Sequence, residues 1–373
     1  MPRRPVTGDT LFFPAATAYA VFALPASVLS ATGVTGALPA LAPTAGHAHE
    51  MLFGFALAVV AGNQLGAVPV PRLVLLLGLW AVGRVAFLSA PQGIAAAAVN
   101  IAFDALLLAH VAPRLLGSAK KLRNQALPLV LAALCAAGIA AEIAPHAGFA
   151  ADGREIPIVA VLLFALLMLF MGGRVIAPAV AGQFYWQGGK LDARVQPRIE
   201  GGLIVAMALA AAAALVREPL FVALSAAATG VAGALSAVRL ARWRLWALHG
   251  RPDLLCLAAG YGWLALGLLL LAAAFAAGRH QTVALHVITV GSIGTLTLNV
   301  MAMTWLRKAR QDPARAALPI WGTVLIAAAT LARVLAGLGV YDPRTLLLVA
   351  ASCWSGAFAL LLVLFARSRA PMK

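Results

Sequence analysis

The sequence predicts an all-α membrane protein: a polytopic bundle of about twelve transmembrane helices with both termini on the cytoplasmic side. Three observations carry this. Of 373 residues, 63% are hydrophobic and 11% charged, with a mean hydropathy of +0.94, whereas soluble domains carry about 25% charged residues. Apolar runs of about 20 residues follow one another with short connections, and a chain in lipid satisfies its backbone over such lengths as helix. Lys and Arg gather in every second connection.

Taken in order, the first run, 11–32, follows Arg3 and Arg4. Its basic start is that of a secretory signal, but the apolar stretch is long for one and no A-x-A-like site closes it, so it reads as a retained helix. The second, 46–67, opens with His47, His49 and Glu50. The third and fourth, 72–89 and 92–113, are separated by a short Pro-Gln-Gly turn. The fifth and sixth cover 125–144 and 156–178, and the seventh and eighth cover 198–215 and 219–238. The ninth is 253–276, the tenth, 280–304, carries His286, and the last two are 318–339 and 343–367. Spans fill the chain as one transmembrane domain, 1–373, without room for a soluble one. No internal repeat is evident beyond a histidine at the outer ends of the second and tenth runs.

Loop charge tests this list independently, because cytoplasmic loops are enriched in Lys and Arg. With the N-terminus inside, Arg3/Arg4, Arg72, Arg114/Lys120/Lys121/Arg123, Lys190/Arg194/Arg198, Arg239/Arg242/Arg244/Arg251, Arg307/Lys308/Arg310/Arg315 and Arg367/Arg369/Lys373 all fall on one side. Arg154, Arg217, Arg279 and Arg344 alone face the other. The net charge of +16 is therefore topological and does not form the basic face of a nucleic-acid binder. Cys135, Cys256 and Cys353 lie far apart inside apolar runs, without CxxC spacing, and read as packing residues.

Ionisable groups inside spans are the functional candidates, since one near the bilayer centre costs about 2.5–3.5 kcal/mol even on the lenient insertion scale. His47, His49 and Glu50 open the second helix from outside, and His286 lies about one and a half turns into the tenth. Arg84 and Arg333 sit in the outer thirds of the third and eleventh helices, with Asn100 and Asp104 near the middle of the fourth. His110 and Arg174 lie toward the cytoplasmic ends. Imidazole ligates haem iron and copper, and arginine pairs with carboxylates such as haem propionates.

In H47-A-H49-E50-M51, residues two apart point about 200° apart on a helix, so His47 and His49 face different neighbours while His47, Glu50 and Met51 share a face. One face would then offer an axial haem ligand and the other a copper ligand. Below His286, the small residues Gly291, Ser292, Gly294, Thr295 and Thr297 allow either close helix packing or space beside a flat macrocycle. Gly172 and Gly173, before Arg174, carry the same two readings.

HAHEMLFGF (47–55), GGRVI (172–176), GYGWLALG (260–267) and HVITVGSIGTLTLNVM (286–301) resemble the NnrS family of bacterial membrane proteins over essentially the whole chain. The resemblance implies an inner-membrane protein of the nitric oxide stress and denitrification response that holds haem b and, in addition, copper. On it, His47, His49 and His286 are cofactor or metal ligands, with Glu50 and Met51 as further metal donors. Arg84, Arg174 and Arg333 support the cofactor, and Glu50 and Asp104 are the candidates for a proton relay. Nitric oxide or another diatomic would be the ligand, quinol the electron donor of any reductase activity, and the bilayer the solvent. The stretches FFPAAT, PVPRL, APAV, CLAAGY and MAMTWLRKAR depart from the family pattern, and CLAAGY lacks a histidine that would serve copper. A haem-copper oxidase fold is excluded by the placement of the seven histidines. A transporter of a small anion or metabolite and a non-catalytic haem-binding or assembly factor are the alternative readings.

Overall fold

The computed structural model describes residues 6–118, 122–147 and 155–368. The chain is all-α and multi-pass. Among the described residues, eleven helical segments are long and apolar enough to cross a membrane. A twelfth continuous run, 44–64, is long enough too, but His47, His49 and Glu50 near its N-terminal end lower its hydropathy. Large apolar side chains on helix surfaces, among them Val85, Leu129 and Leu220, are exposed as lipid contacts would be. Of the charge pattern, Arg3, Arg4, Lys120, Lys121, Arg154, Arg369 and Lys373 lie outside the described residues.

The chain divides into two compact units, Met1–Ala160 and Val161–Lys373. In the first, α1 (Asp9–Ala31) is followed by α2 (Thr44–His49), a π-helical segment (Glu50–Ala56) and α3 (Leu57–Gln64) in one run, then α4 (Val70–Ser89), α5 (Ile94–Ser118) and α6 (Leu122–Ile143). A two-residue antiparallel bridge, β1 (Val6–Thr7) with β2 (Ala67–Val68), ties the start of α1 to the end of α3. There α1 packs on α3 and the π segment, α4 on α5, and α5 on α6.

α7 (Glu155–Met171) runs from the first unit into the second, where a π segment (Gly172–Ile176) and α8 (Ala177–Trp186) continue it. Then come α9 (Pro197–Ala213), α10 (Pro219–Arg242), α11 (Pro252–Ala277), and a run of α12 (Gln281–His286), a π segment (Val287–Gly294) and α13 (Thr295–Lys308). α14 (Ala317–Leu338) and α15 (Pro343–Arg367) close the chain as a tightly packed pair. α11 and α14 both end on a left-handed glycine, Gly278 (φ 64°) and Gly339 (φ 67°), with the following N–H returned to Ala274 and Leu335. A left-handed cap of this kind favours glycine because it carries no Cβ.

Each predicted run overlaps one observed run, and the main difference is length. The sixth, predicted to stop at 178, continues to Trp186. Pro178 lies two residues past the π segment, and the helical run continues through it.

Candidate functional site

Three of the strings singled out in the sequence coincide with the three π segments: Glu50–Ala56 follows His49, Gly172–Ile176 is GGRVI, and Val287–Gly294 follows His286. A π turn inserts a residue into the helix and changes which carbonyls are open to outside donors, and such turns concentrate at functional sites. At each one a side chain reaches a carbonyl. Trp80 Nε1 donates to Gly54 O (2.8 Å), Arg239 Nη1 to Leu169 O (2.9 Å) and Thr297 Oγ1 to Ile293 O (2.6 Å).

In the first unit, the π segment turns Glu50 inward into a closed hydrogen-bonded ring of five side chains. Arg84 of α4 donates through Nη1 to Glu50 Oε1 (2.6 Å) and through Nη2 to Asn100 Oδ1 of α5 (2.6 Å). Asn100 Nδ2 donates to Glu142 Oε1 of α6 (2.6 Å). His49 closes the circuit, with Nε2 2.7 Å from Glu142 Oε1 and Nδ1 2.9 Å from Glu50 Oε1. The Tyr19 hydroxyl of α1 donates to Glu50 Oε2. Glu50 is fully buried, and Arg84, Asn100 and Glu142 are each at most 5% exposed.

Small residues make the ring possible. A Cβ on Gly54 would lie 2.8 Å from Arg84 Nη1 and 3.0 Å from Glu50 Oε2, and one on Gly83 would collide with Asn100 Oδ1. Phe87 stacks on the His49 imidazole (4.1 Å between centroids, 7° between planes) and fixes the plane in which both nitrogens meet their carboxylates. Both contacts require either two N–H donors on the imidazole or a proton on one carboxyl group. In either state no His49 lone pair is left for a metal.

His47 faces a different helix from His49, as their spacing requires. Its Nδ1 lies 2.9 Å from Ser27 Oγ of α1, and Ser27 donates its own proton to Leu41 O (2.9 Å). Ser27 therefore accepts from Nδ1–H, which makes Nε2 the basic nitrogen of His47. Met51 is half-buried on the same run and belongs to no ring contact. Asp104, one turn along α5 from Asn100, rests against Gly138 of α6, where a Cβ would collide with it. No hydrogen bond among the described residues links Asp104 to Glu50.

In the second unit, His286 is half-buried at the end of α12 and directs Nδ1 at Thr282 O (2.6 Å), again leaving Nε2 as the basic nitrogen. α12 packs on α14. There Arg333 is half-buried and has no hydrogen bond or ion pair among the described residues. A Cβ built on Gly337 would lie 3.5 Å from Arg333 Nη1 and 2.6 Å from Val283 Cγ2, so the guanidinium reaches the α12 face one turn before His286. Arg174 is exposed. The glycines below His286 serve packing, because a Cβ on Gly291 would meet Trp263 at 3.0 Å and one on Gly294 would meet Trp354 at 2.7 Å. Gly172 is filled likewise by Tyr261 and Trp243, and Gly173 by Arg239.

Sequence reasoning left out Glu142 and Tyr19 and gave Asn100 no role. Glu142 carried a readable signal, an acid inside the fifth apolar run. A tyrosine in an apolar helix carries none. Among the described residues no three His, Cys, Asp or Glu side chains gather as a metal cage.

Residues 10–368 match the NnrS protein family, so the chain belongs to that family of nitric-oxide-response membrane proteins. No curated protein matches the chain.

Proposed function

We propose that this NnrS-family protein binds a b-type haem through His286, with Arg333 as a partner of one propionate, and meets nitric oxide there in the outer leaflet of a bacterial inner membrane. The observation that carries the reading is the His286–Arg333 pairing of chemistries. The Thr282 carbonyl accepts from Nδ1–H and holds the imidazole in the tautomer whose unprotonated Nε2 is the ligating nitrogen, and Arg333 is a cation in a membrane-spanning helix with no hydrogen bond or ion pair among the described residues. An arginine in that setting needs an anion.

Donor chemistry favours haem over copper. A porphyrin brings four of iron's ligands with it, so one or two histidines complete it. A copper site needs several protein donors together, and no such group is found among the described residues. His47, with Nε2 basic, is the second imidazole suited to ligation. His49 is held by carboxylates and Arg84 by Glu50 and Asn100, so neither fits the ligand and propionate roles expected of them.

When bound, ferrous haem supplies the coordination position that nitric oxide takes. The chain's own residues hold the imidazole plane and balance the propionate charge. A location in the outer half of α12 and α14 suits a small apolar gas that arrives through lipid. The test is the absorption spectrum of detergent-purified protein from haem-replete cells. The wild type should show a Soret band that His286→Ala abolishes, Arg333→Leu weakens and His49→Gln leaves in place. Colourless wild-type protein, or a band indifferent to His286→Ala, would sink the proposal.

A further inference from the structure

One cavity lies apart from all these groups. It is an apolar groove of about 510 Å³ between α10 and α11, lined by Ala237, Leu240, Leu245, Trp246, Ala258 and Gly262 among others. A volume of this size holds a drug-sized ligand or a single hydrocarbon chain. It occupies the end of α10 and the start of α11, next to the arginine-rich connection that loop charge assigns to the cytoplasm. Its floor is made of small side chains, and a Cβ on Gly262 would meet only Leu240, at an ordinary 3.7 Å. The glycine is therefore not needed for helix contact at that point.

An aromatic side chain belongs to the lining, and two arginines are chain neighbours of lining residues. Trp246 is 58% exposed, in the position an interfacial tryptophan takes at the headgroup level. Arg242, beside Ala241, and Arg244, beside Leu245, are exposed and have no ion pair among the described residues. Arg251, on the same connection, is by contrast committed to Asp253 and Gln183. Arg244 also holds a left-handed backbone (φ 52°), uncommon for a residue with a side chain. That conformation turns the chain out of α10 into the Leu245–Ala247 turn, which supplies two of the groove's walls.

We infer that this groove is a binding site for an anionic phospholipid, one acyl chain lying along Ala237, Ala258 and Gly262 and the phosphodiester held by Arg242 and Arg244. Two exposed arginines, chain neighbours of the lining of an apolar slot and without an ion pair among the described residues, complement that ligand in both charge and shape, and basic pockets between spanning helices on the cytoplasmic side take such headgroups. A zwitterionic lipid fits the slot but gains little from the arginines.

The protein in vesicles containing phosphatidylglycerol or phosphatidylcholine with brominated chains tests this, since bromine quenches a nearby indole. Trp246 is isolated by subtracting the signal of Trp246→Phe. Half-maximal quenching should need about thirtyfold less phosphatidylglycerol than phosphatidylcholine at low salt, the preference expected of two basic side chains at the surface. The preference should disappear in Arg242→Gln/Arg244→Gln, whose side chains are exposed and have no ion pair among the described residues. Gly262→Leu, which fills the slot, should reduce quenching by both lipids. Equal quenching by the two lipids, a preference untouched by the arginine changes, or quenching untouched by Gly262→Leu overturns the assignment.

Discussion

Replacing Arg84 by methionine tests the ring directly. Arg84 is 5% exposed and gives one guanidinium nitrogen to the fully buried Glu50 and another to Asn100. Its removal strands a carboxylate that Tyr19 and His49 alone then satisfy. Breaking a buried pair by deleting one partner costs about 3–5 kcal/mol. Glu50→Gln should cost a similar amount, because it leaves the guanidinium uncompensated. The double variant removes both charges, so its cost should fall short of the sum of the two single changes by about 1.5–3 kcal/mol, as expected for residues in one network. Reversible unfolding in mixed micelles, followed by helical circular dichroism, measures all three. Arg333→Met, compared in haem-free protein, is the control: with no hydrogen bond or ion pair among the described residues to lose, it should stay within about 1 kcal/mol of wild type. If Arg84→Met is equally mild, or if the double variant is additive, the ring does not hold the first unit together.

Two further outcomes are expected. Gly54→Ala should destabilise by about 1–3 kcal/mol through overpacking, because its methyl meets Arg84 Nη1, Glu50 Oε2 and Tyr19 Cε1 within 3.2 Å. Gly78→Ala, with nothing within 4 Å of the added carbon, should be neutral or stabilise by up to about 1 kcal/mol; the same unfolding assay separates them, and equal effects would refute the packing argument. In a cysteine-free background, Gly36→Cys and Gly188→Cys, both on exposed connections, should label from opposite sides with a membrane-impermeant maleimide. Labelling of both from the outside would contradict the orientation read from loop charge.

The structure also separates residues that look alike in the sequence. Arg84 and Arg333 are both arginines within an apolar run, yet one closes a hydrogen-bonded ring and the other has no hydrogen bond or ion pair among the described residues. His47 and His49 belong to one string, yet Ser27 leaves the first with a basic Nε2 while Glu50 and Glu142 occupy both nitrogens of the second. Glu142 lies far along the chain from the ring it completes, and only the packing of α5 against α6 brings it there.

The sequence by itself determined the helical class and the order and approximate limits of the spans, and it assigned them an orientation through loop charge. Hydropathy and loop charge are sums over neighbouring residues, so they need no knowledge of what packs where. Tertiary structure decided the partner of each polar group, the filling of the glycine-rich stretches by Trp263, Trp354 and Tyr261, and the three π segments. A π turn is a one-residue shift in backbone hydrogen bonding, and at two of the three the donor that meets a nearby carbonyl, Trp80 or Arg239, comes from a helix distant in sequence. The candidate site was thus legible as a set of residue types within apolar runs, while the division of labour among them followed from contacts between helices distant in sequence.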